Sequence, residues 1–383
     1  MSSSHGAWVR AELDAIRGQD RWRRSRPFDA LGPAGSLEGR PVVSFASNDY
    51  LGLSAHPDVV AAGHEALDRW GTGSTASRLV VGARPVHHDL EAALAGWKGT
   101  EAAVALPSGY AANLAALTTF GGPDCLVVSD ELNHASIIDG CRLSRSEVAV
   151  SRHGDVDHVD DLLRTAGSRR AMVVTDSVFS MDGDEAPVQA LAECCARHGA
   201  LLVLDDAHAV LGPDVDLAAV DGLDVIHVLT LSKALGSLGG AIAGSQDAVD
   251  LVVNRARPFI FTTALSPADA AAGLAAVQIV RSPEGDALVG RLRGHVDRLR
   301  PGHPSPIIPV VLGEEHAALE AADALLHEGL LVPAIRPPTV APGTSRLRVA
   351  LSAAHTDDQI STLVAALHPF RGGSAPAARA GVR

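Results

Sequence analysis

The segment VLTLSKALGSLGG contains Lys233, one of only two lysines in a chain where lysine and arginine together number 32. The apolar residues before it predict a β-strand and the glycines after it predict a turn, so Lys233 lies at the carboxyl end of that strand. Open parallel sheets bind ligands at this edge. A lysine that is desolvated there has a lowered pKa, and its neutral amine serves as a nucleophile or a base. An exposed turn lysine is the alternative, but the small, apolar neighbours favour burial.

Acidic and imidazole side chains follow a neighbouring strand. The sequence LLVLDDAH places Asp205 and Asp206 at the end of an apolar run, with His208 close behind. A carboxylate at the end of a buried strand needs a cationic partner. One such partner is the protonated pyridine nitrogen of pyridoxal 5′-phosphate (PLP), which an aspartate binds in enzymes that use this cofactor. An aspartate that caps the next helix is the alternative, and two consecutive aspartates allow one residue for each role.

Three further segments place polar residues at strand ends. In LPSGYAANLAALTTF, Gly109 and Tyr110 lie where a strand enters a helix, and the free backbone N–H groups at such a point bind phosphate. ELNHASIIDG places His134 after another strand, and TDSVFSMDGD supplies Ser177 and Ser180. An ordinary turn, a capping histidine and helix-capping serines are the alternatives. The convergence of these residues with the lysine on one sheet edge favours a PLP site.

The elements that must position these residues alternate between short apolar strands and helices. Apolar strands without polar alternation are typical of a mainly parallel sheet buried on both faces, so the sequence predicts a large, doubly wound α/β domain. A long helix, PADAAAGLAAVQIV, then leads into a smaller α+β C-terminal domain. An Arg-rich helix is expected from about Ala7 to Arg24. The expected divisions are an N-terminal helix and arm (1–40), the large domain (41–264), the small domain (265–370) and a disordered tail (371–383).

The composition argues against several classes of protein. A formal net charge of −13 disfavours non-specific binding to nucleic acid or anionic membranes. No apolar run is long enough to predict a transmembrane helix, and no signal peptide is expected. None of the four cysteines forms a CxxC pair, so we expect reduced thiols in a cytoplasmic protein. Neither GxxxxGK[ST] nor HExxH occurs, and no metal site is predicted.

A resemblance to a known family rests on seven segments, which occur in the order SNDYLGL, SGYAAN, NHAS, DSVFSMDGD, DDAH, TLSKALGS and RPPTVAPGTSRLRVALSAAH. Together they resemble the α-oxoamine synthases, which are fold-type I PLP enzymes. The resemblance extends from about Leu13 to the last helix. The segment AIRPPTVAPGTSRLR is similar to the branch of the family that makes 8-amino-7-oxononanoate for biotin synthesis. The resemblance therefore implies a fold-type I PLP-dependent transferase.

The resemblance also implies roles for individual residues. Lys233 forms the Schiff base with the cofactor, Asp205 binds the pyridine nitrogen and His208 binds the ring hydroxyl. His134 stacks on the ring. The other residues implied at the cofactor are Gly109, Tyr110, Ser180, Thr230 and, toward the phosphate in the other subunit, Thr262 or Thr263.

Four residues are implied at the substrate site, namely Arg23, Asn48, Arg336 and Thr339. Arg336 is the candidate for the amino-acid carboxylate, because a guanidinium grips a carboxylate with two hydrogen bonds. The implied reaction joins L-alanine to pimeloyl-CoA, or to a pimeloyl carrier protein, with loss of CO₂. The implied assembly is a homodimer whose subunits share the active site.

Three alternatives stay open. Another α-oxoamine synthase would use glycine or a different acyl-CoA. An aminotransferase or a lyase would use the same fold and cofactor, since a fold does not determine a function. A non-catalytic protein would keep the fold alone, but the intact Lys233, Asp205 and His208 favour an enzyme.

Two segments depart from the family pattern. The family has a glycine-rich run, DDAHGxGxxGxxGRG, where this chain has the glycine-poor DDAHAVLGPDVDLAAVDG with Ala209 at the first glycine position. In GTGSTASR, Thr75 and Ala76 stand where two glycine-type residues are usual. We expect a changed loop beside the substrate channel. Catalysis should persist, because neither change alters the lysine, the aspartate or the histidines.

Overall fold

The computed structural model describes residues 4–18 and 21–370. The elements before the large sheet are α1 (Ser4–Gly18), β1 (Phe28–Ala30), β2 (Ala34–Leu37), β3 (Arg40–Ser44), α2 (Pro57–Trp70) and α3 (Pro85–Lys98). The expectation that the first helix reaches Arg24 is wrong, because the backbone from Arg21 onward is not helical. Helix α1 buries no residue, so no apolar face stabilises a longer helix there.

A seven-stranded sheet forms the centre of the fold. Its strands are β4 (Ala102–Leu106), β5 (Cys125–Asp130), β6 (Glu147–Ser151), β7 (Arg170–Asp176), β8 (Leu201–Asp205), β9 (Val225–Thr230) and β10 (Gly240–Gly244). The order across the sheet is β4-β10-β9-β8-β7-β5-β6. Strand β10 pairs antiparallel with both β4 and β9, and the other pairs are parallel. The prediction of a mainly parallel sheet is therefore confirmed.

Helices cover both faces of this sheet. They are α4 (Gly109–Phe120), α5 (Ala135–Ser144), α6 (Val156–Arg164), α7 (Val188–His198), α8 (Gln246–Arg255) and the short α9 (Arg257–Ile260). Strand residues such as Val127 and Val203 are buried with α4 on one face. Leu202 and Leu204 are buried with α6 and α7 on the other face. This alternation is the doubly wound arrangement that the apolar strands predict.

The C-terminal part continues through α10 (Pro267–Val280), α11 (Pro283–Leu299), β11 (Ile307–Gly313), α12 (Glu315–His327), β12 (Leu330–Leu331), β13 (Ala334–Ile335), β14 (Ser345–Ala350) and α13 (Asp357–Leu367). Strands β11, β14 and β13 form an antiparallel sheet. Strand β12 pairs parallel with β3 through Val43 and Ser44, so the start of the predicted large domain joins the C-terminal part. The predicted domain borders stay predictions, and the predicted tail (371–383) lies outside the described residues.

Two further expectations concern membrane-spanning helices and disulfide bonds. No helix within the described ranges is long and apolar enough to cross a bilayer. All four cysteines are buried and unpaired, as Cys125, Cys141, Cys194 and Cys195 each lack a disulfide partner.

Candidate active site

Lys233 lies in the turn between β9 and β10. Backbone hydrogen bonds hold this turn, from the Leu231 N–H to the Gly239 carbonyl (3.0 Å) and from the Gly236 N–H to the Lys233 carbonyl (2.9 Å). Gly236 has a φ of 60°, and a Cβ there would lie 2.2 Å from the backbone nitrogen of Ser54. Only glycine allows this close approach. The turn therefore presents Lys233 at the carboxyl edge of the sheet, as the sequence predicts.

The amine of Lys233 contacts a buried histidine. Its Nζ lies 2.8 Å from Nε2 of His208, whose side chain is buried. Burial lowers the pKa of Lys233, and the charge of Arg348 lowers it further, although Asp205 and Asp176 act in the opposite direction. Burial, followed by the charge of Lys233, holds the pKa of His208 well below its usual range. The site therefore favours a neutral imidazole and eases deprotonation of the lysine.

Asp205 lies at the end of β8 beside a second carboxylate. Its Oδ2 accepts a hydrogen bond from Asn113 Nδ2 (2.6 Å), and its Oδ1 accepts one from the Ala207 N–H (3.0 Å). Asp176 is its register partner on β7. Burial and the charge of Asp205 raise the pKa of Asp176 well above its usual range. The buried Oδ1 of Asn113 has no hydrogen-bond partner. This electronegative end of the site suits a pyridine nitrogen that carries a proton.

The start of α4 forms a cradle for an anion. The Ser108 side chain caps the helix by accepting a hydrogen bond from the Ala111 N–H (3.1 Å). A Cβ at Gly109 would lie 3.1 Å from the Cβ of Thr230, and a Cβ at Gly240 would lie 2.5 Å from the Gly109 nitrogen. These glycines keep the helix N-terminus open beside the Thr230 hydroxyl. The remaining N–H groups of the first turn are suited to a phosphate.

Two aromatic residues border the same edge. His134 caps α5, its backbone N–H donates to Asp176 Oδ2 (2.8 Å), and the residue is partly exposed. The Tyr110 hydroxyl donates to Asp139, and 43% of the tyrosine is exposed. One edge of the sheet thus holds an amine, a carboxylate for a ring nitrogen, an imidazole for a ring hydroxyl and a helix N-terminus for a phosphate. These residues fit PLP.

The predicted substrate residues fall into two groups. Asn48 belongs to the site, because its Oδ1 accepts hydrogen bonds from the Tyr50 hydroxyl (3.0 Å) and from Arg348 Nη2 (3.1 Å). Arg336 lies 3.8 Å from a carboxylate oxygen of Glu315. Arg23 and Thr339 are exposed. The hydrogen bonds that join the residues around Lys233 therefore include Asn48 but not Arg23 or Thr339.

The two threonines predicted at the phosphate follow α9. Thr262 is half-buried and Thr263 is exposed, and both come directly after Phe261, which is 69% exposed. They are not among the residues that form the anion cradle of the same chain. Ser180 lies closer to the reactive residues, because its backbone carbonyl accepts a hydrogen bond from Arg348 Nε (2.5 Å).

Sequence reasoning missed four residues of this site, namely Tyr50, Asn113, Asp176 and Arg348. Arg348 left a signal in the sequence. It alternates with Arg346 in SRLRVA, a strand that is buried throughout. A buried guanidinium needs acceptors, so an arginine inside an apolar strand indicates a polar site. Arg348 is 6% exposed.

The glycine-poor segment after His208 borders a cavity of about 620 Å³. Its lining includes Val210 and Val215 of that segment together with Lys98, Asp206 and His227. Asp206 Oδ2 lies 2.6 Å from Lys98 Nζ and 2.8 Å from His227 Nδ1. Burial alone would raise the pKa of Asp206, but Lys98 and His227 hold it below its usual range. Lys98, the lysine other than Lys233, therefore neutralises Asp206.

The other departure affects the backbone. Thr75 has a φ of 63°, in the left-handed region that favours glycine. Its neighbour Ser74 donates a hydrogen bond to the Leu265 carbonyl (2.6 Å), and the Ala264 N–H donates to the Ala76 carbonyl (3.0 Å). These contacts hold the segment against the chain that follows Thr262 and Thr263.

Comparisons with known proteins show the family of this chain. A family model for aminotransferase class I and II matches residues 40–367. The 8-amino-7-oxononanoate synthase of Anaeromyxobacter dehalogenans (strain 2CP-1) is 50% identical over 376 residues, which cover 94% of each chain. The enzyme of that name from Mycobacterium leprae (strain TN) is 44% identical and covers 97% of each chain.

A solved structure shares the fold. Serine palmitoyltransferase from S. paucimobilis, with a bound PLP–myriocin aldimine, has a TM-score of 0.87 and 28% identity. The match covers 94% of this chain and 96% of that one. The predicted fold-type I transferase fold and the resemblance to the α-oxoamine synthases are confirmed. The chain belongs to the 8-amino-7-oxononanoate synthase family.

Proposed function

We propose that this chain uses PLP to condense L-alanine with a pimeloyl thioester, giving 8-amino-7-oxononanoate, CO₂ and the free thiol. A bond forms between the alanine Cα and the acyl carbonyl carbon, the C–S bond breaks, and the carboxyl group leaves as CO₂. The observation that carries the proposal is the contact between Lys233 Nζ and His208 Nε2 at the sheet edge that also holds Asp205. The relatives that are 44–50% identical support the choice of reaction.

Lys233 is the residue that moves the proton. When bound, PLP withdraws electrons from the amino-acid Cα, so that this carbon becomes acidic. The amine of Lys233 takes the Cα proton and returns a proton to the same carbon after CO₂ has left. Its pKa is lowered by burial, which increases the fraction of neutral amine at neutral pH. Asp205 keeps a proton on the pyridine nitrogen, and His208 or His134 donates to the developing ketone.

Arg348 and Asn48 form the best-supported carboxylate site for alanine. Arg348 is buried, its Nη2 donates to Asn48 Oδ1 (3.1 Å), and its charge lowers the pKa of both Lys233 and His208. A guanidinium so close to the reactive amine holds a carboxylate by charge-assisted hydrogen bonds. Arg336, which the sequence favours for this role, lies beside Glu315 and stays a prediction.

The homodimer is supported by exposed apolar side chains. Leu79, Val80 and Val81 are 54%, 72% and 65% exposed on the helical turn at 78–82. Arg78 lies over the ring of Phe259 in α9, which places this turn near the exposed Phe261. Burial of this surface against a second copy would remove it from water. Thr262 and Thr263 follow Phe261 and would then reach the phosphate in the partner's site.

Pimeloyl-CoA and a pimeloyl carrier protein stay alternatives, and the cytoplasmic location stays a prediction. One experiment tests the reaction and the chain length together. The purified protein, L-alanine and dicarboxylic acyl-CoA esters of increasing length are combined, and free thiol is measured. The seven-carbon ester should give the fastest thiol release. Thiol release with glycine but not with alanine would contradict the proposal, and so would thiol release with shorter esters only.

A further inference from the structure

Tyr50 connects the carboxylate site to the reactive lysine. Its hydroxyl oxygen lies 2.6 Å from Nδ1 of His208 and 3.0 Å from Oδ1 of Asn48. Beyond His208, Nε2 lies 2.8 Å from Nζ of Lys233. Beyond Asn48, Oδ1 accepts a hydrogen bond from Nη2 of Arg348 (3.1 Å). An unbroken row of hydrogen bonds therefore runs from the guanidinium to the amine.

Which atoms of this row donate and which accept depends on the hydrogen of the Tyr50 hydroxyl. The Tyr50 hydroxyl carries a single hydrogen, so it donates either to Asn48 Oδ1, as described above, or to His208 Nδ1. If it donates to Asn48, its oxygen accepts from the Nδ1–H of a neutral His208, and Nε2 faces Lys233 as an acceptor. If it donates to His208, Nε2 carries the hydrogen and faces Lys233 as a donor. The tautomer of His208 thus depends on what Asn48 accepts.

Burial keeps water from replacing either partner. Tyr50 is 0% exposed and His208 is 3% exposed. Burial raises the pKa of Tyr50 to about 12, so the phenol keeps its hydrogen at neutral pH. The pKa of His208 is held well below its usual range, so this imidazole is neutral and carries its single ring N–H on either Nδ1 or Nε2.

Other charged groups act on the same residues from several elements. Asp205 on β8 and Asp176 on β7 act on Lys233, and Arg348 on β14 acts on both Lys233 and His208. His134, which caps α5, acts on His208. The effects on Lys233 and His208 are electrostatic and persist without the Tyr50 hydroxyl, on which Arg348 also acts directly by its charge and by a hydrogen bond. A variant without that hydroxyl therefore distinguishes the effect of the hydrogen-bond row from the electrostatic effects of the charged groups.

We propose that Tyr50 is a positioning residue that couples occupation of the Asn48–Arg348 carboxylate site to protonation at the lysine–cofactor linkage. Asn48 Oδ1 accepts from both Arg348 and the Tyr50 hydroxyl, and a bound carboxylate that takes the hydrogen bonds of Arg348 leaves Oδ1 to the hydroxyl alone, which strengthens the Tyr50–Asn48 bond. The hydrogen of His208 is then on Nδ1, and Nε2 is an acceptor that stabilises a proton on its other neighbour. Carboxylate binding therefore raises the pH at which that proton is lost. The inference rests on the proposed function, because it uses the proposed carboxylate site and cofactor.

Propionate is the probe, because it has the carboxylate of alanine without the amino group that would displace Lys233. The absorbance of the PLP-loaded protein is titrated against pH with and without saturating propionate. In the wild-type protein, propionate should raise the midpoint. In Tyr50→Phe, propionate should still bind, but the rise should be less than half as large. The matched control is Thr119→Val, which removes a buried hydroxyl at the far end of α4 and should keep the full rise.

Other outcomes would overturn the coupling. A rise of wild-type size in Tyr50→Phe would do so, and so would propionate that binds the wild-type protein without moving the midpoint. If Tyr50→Phe does not fold, Asn48→Ala removes the link between Tyr50 and Arg348, and with saturating propionate it should lose the rise in the same way. A protein that shows no lysine–cofactor absorbance at all would instead contradict the proposed function.

Discussion

Asp205 and Asp206 are consecutive in the chain, but their carboxylates have different partners. Asp205 accepts a hydrogen bond from Asn113 Nδ2 (2.6 Å), whereas Asp206 lies 2.6 Å from Lys98 Nζ. Successive residues at a strand end point to opposite faces of the sheet, which explains the separation. One aspartate is thus available to the cofactor, and the other binds the only lysine besides Lys233.

Lys98→Met should destabilise the protein, because it leaves the carboxylate of Asp206 buried without its cation. Loss of one partner of a buried pair costs about 3–5 kcal/mol in the free energy of unfolding. The double variant Lys98→Met with Asp206→Asn should recover more than half of that loss, since neither charge is then left alone. Urea unfolding of the three proteins measures this. Equal stability of the single and double variants would show that Asp206 does not depend on Lys98.

Lys233→Met should abolish turnover and stabilise the cofactor-free protein. The rate should fall by at least about 10²- to 10⁴-fold, because the general base is lost. Burial lowers the pKa of Lys233, so the unfolded chain binds its proton more tightly than the folded chain does. This penalty is present at pH 7 and disappears as the pH rises past the unfolded value of 10.5. The Tm without PLP should therefore rise at pH 7, and a lower Tm than wild type would contradict this.

His153 should make stability depend on pH. Its Nδ1 lies 3.1 Å from Asp130 Oδ1 and its Nε2 lies 2.7 Å from Asp184 Oδ2. Although burial alone would lower it, these carboxylates raise the pKa of His153 to about 10. A raised pKa stabilises the folded protein fully below the unfolded value of 6.5, and the gain is lost as the pH rises to about 10.

The matched variant is His153→Gln, which keeps a polar side chain but does not titrate. The difference in unfolding free energy between wild type and variant should be largest below pH 6.5 and should shrink by more than half by pH 10. A difference that is constant over this range would mean that His153 is not charged in the folded protein.

Thr75→Gly should stabilise the protein, because Thr75 has a φ of 63°. The left-handed conformation costs a residue with a Cβ about 1–2 kcal/mol, and the added flexibility of the unfolded chain offsets part of the gain. The net increase in unfolding free energy is expected to be up to about 1 kcal/mol. Thr165 has an ordinary φ of −74°, so Thr165→Gly is the control and should lower the Tm. A lower Tm for both variants would rule out relief of strain at Thr75.

Local sequence patterns could predict the residues at strand ends. Lys233, Asp205 and His134 each follow an apolar strand, and parallel strands bring their carboxyl ends to one edge. The antiparallel strand β10 was missed, because GAIAG is short and has glycine at both ends. The pairing of β3 with β12 was missed as well, because it joins segments from the two ends of the chain.

Contacts between distant parts of the chain could not be predicted. Asn113 and Asp205 are 92 positions apart, Tyr50 and His208 are 158 apart, and Asn48 and Arg348 are 300 apart. Such pairs depend on how the elements pack, which no local periodicity specifies. The carboxylate site is the clearest case. The RPPT segment predicts Arg336 as the carboxylate-binding residue, whereas the packing of β14 brings Arg348 to Asn48.

The central claim is most directly tested by following the carboxyl carbon of alanine. The protein is incubated with PLP, pimeloyl-CoA and L-alanine labelled with ¹³C in the carboxyl group, and labelled CO₂ and free thiol are measured together. The proposed reaction predicts one labelled CO₂ for each thiol, and a product that has lost the label. Thiol release without labelled CO₂, or conversion of alanine to pyruvate without thiol release, would contradict it.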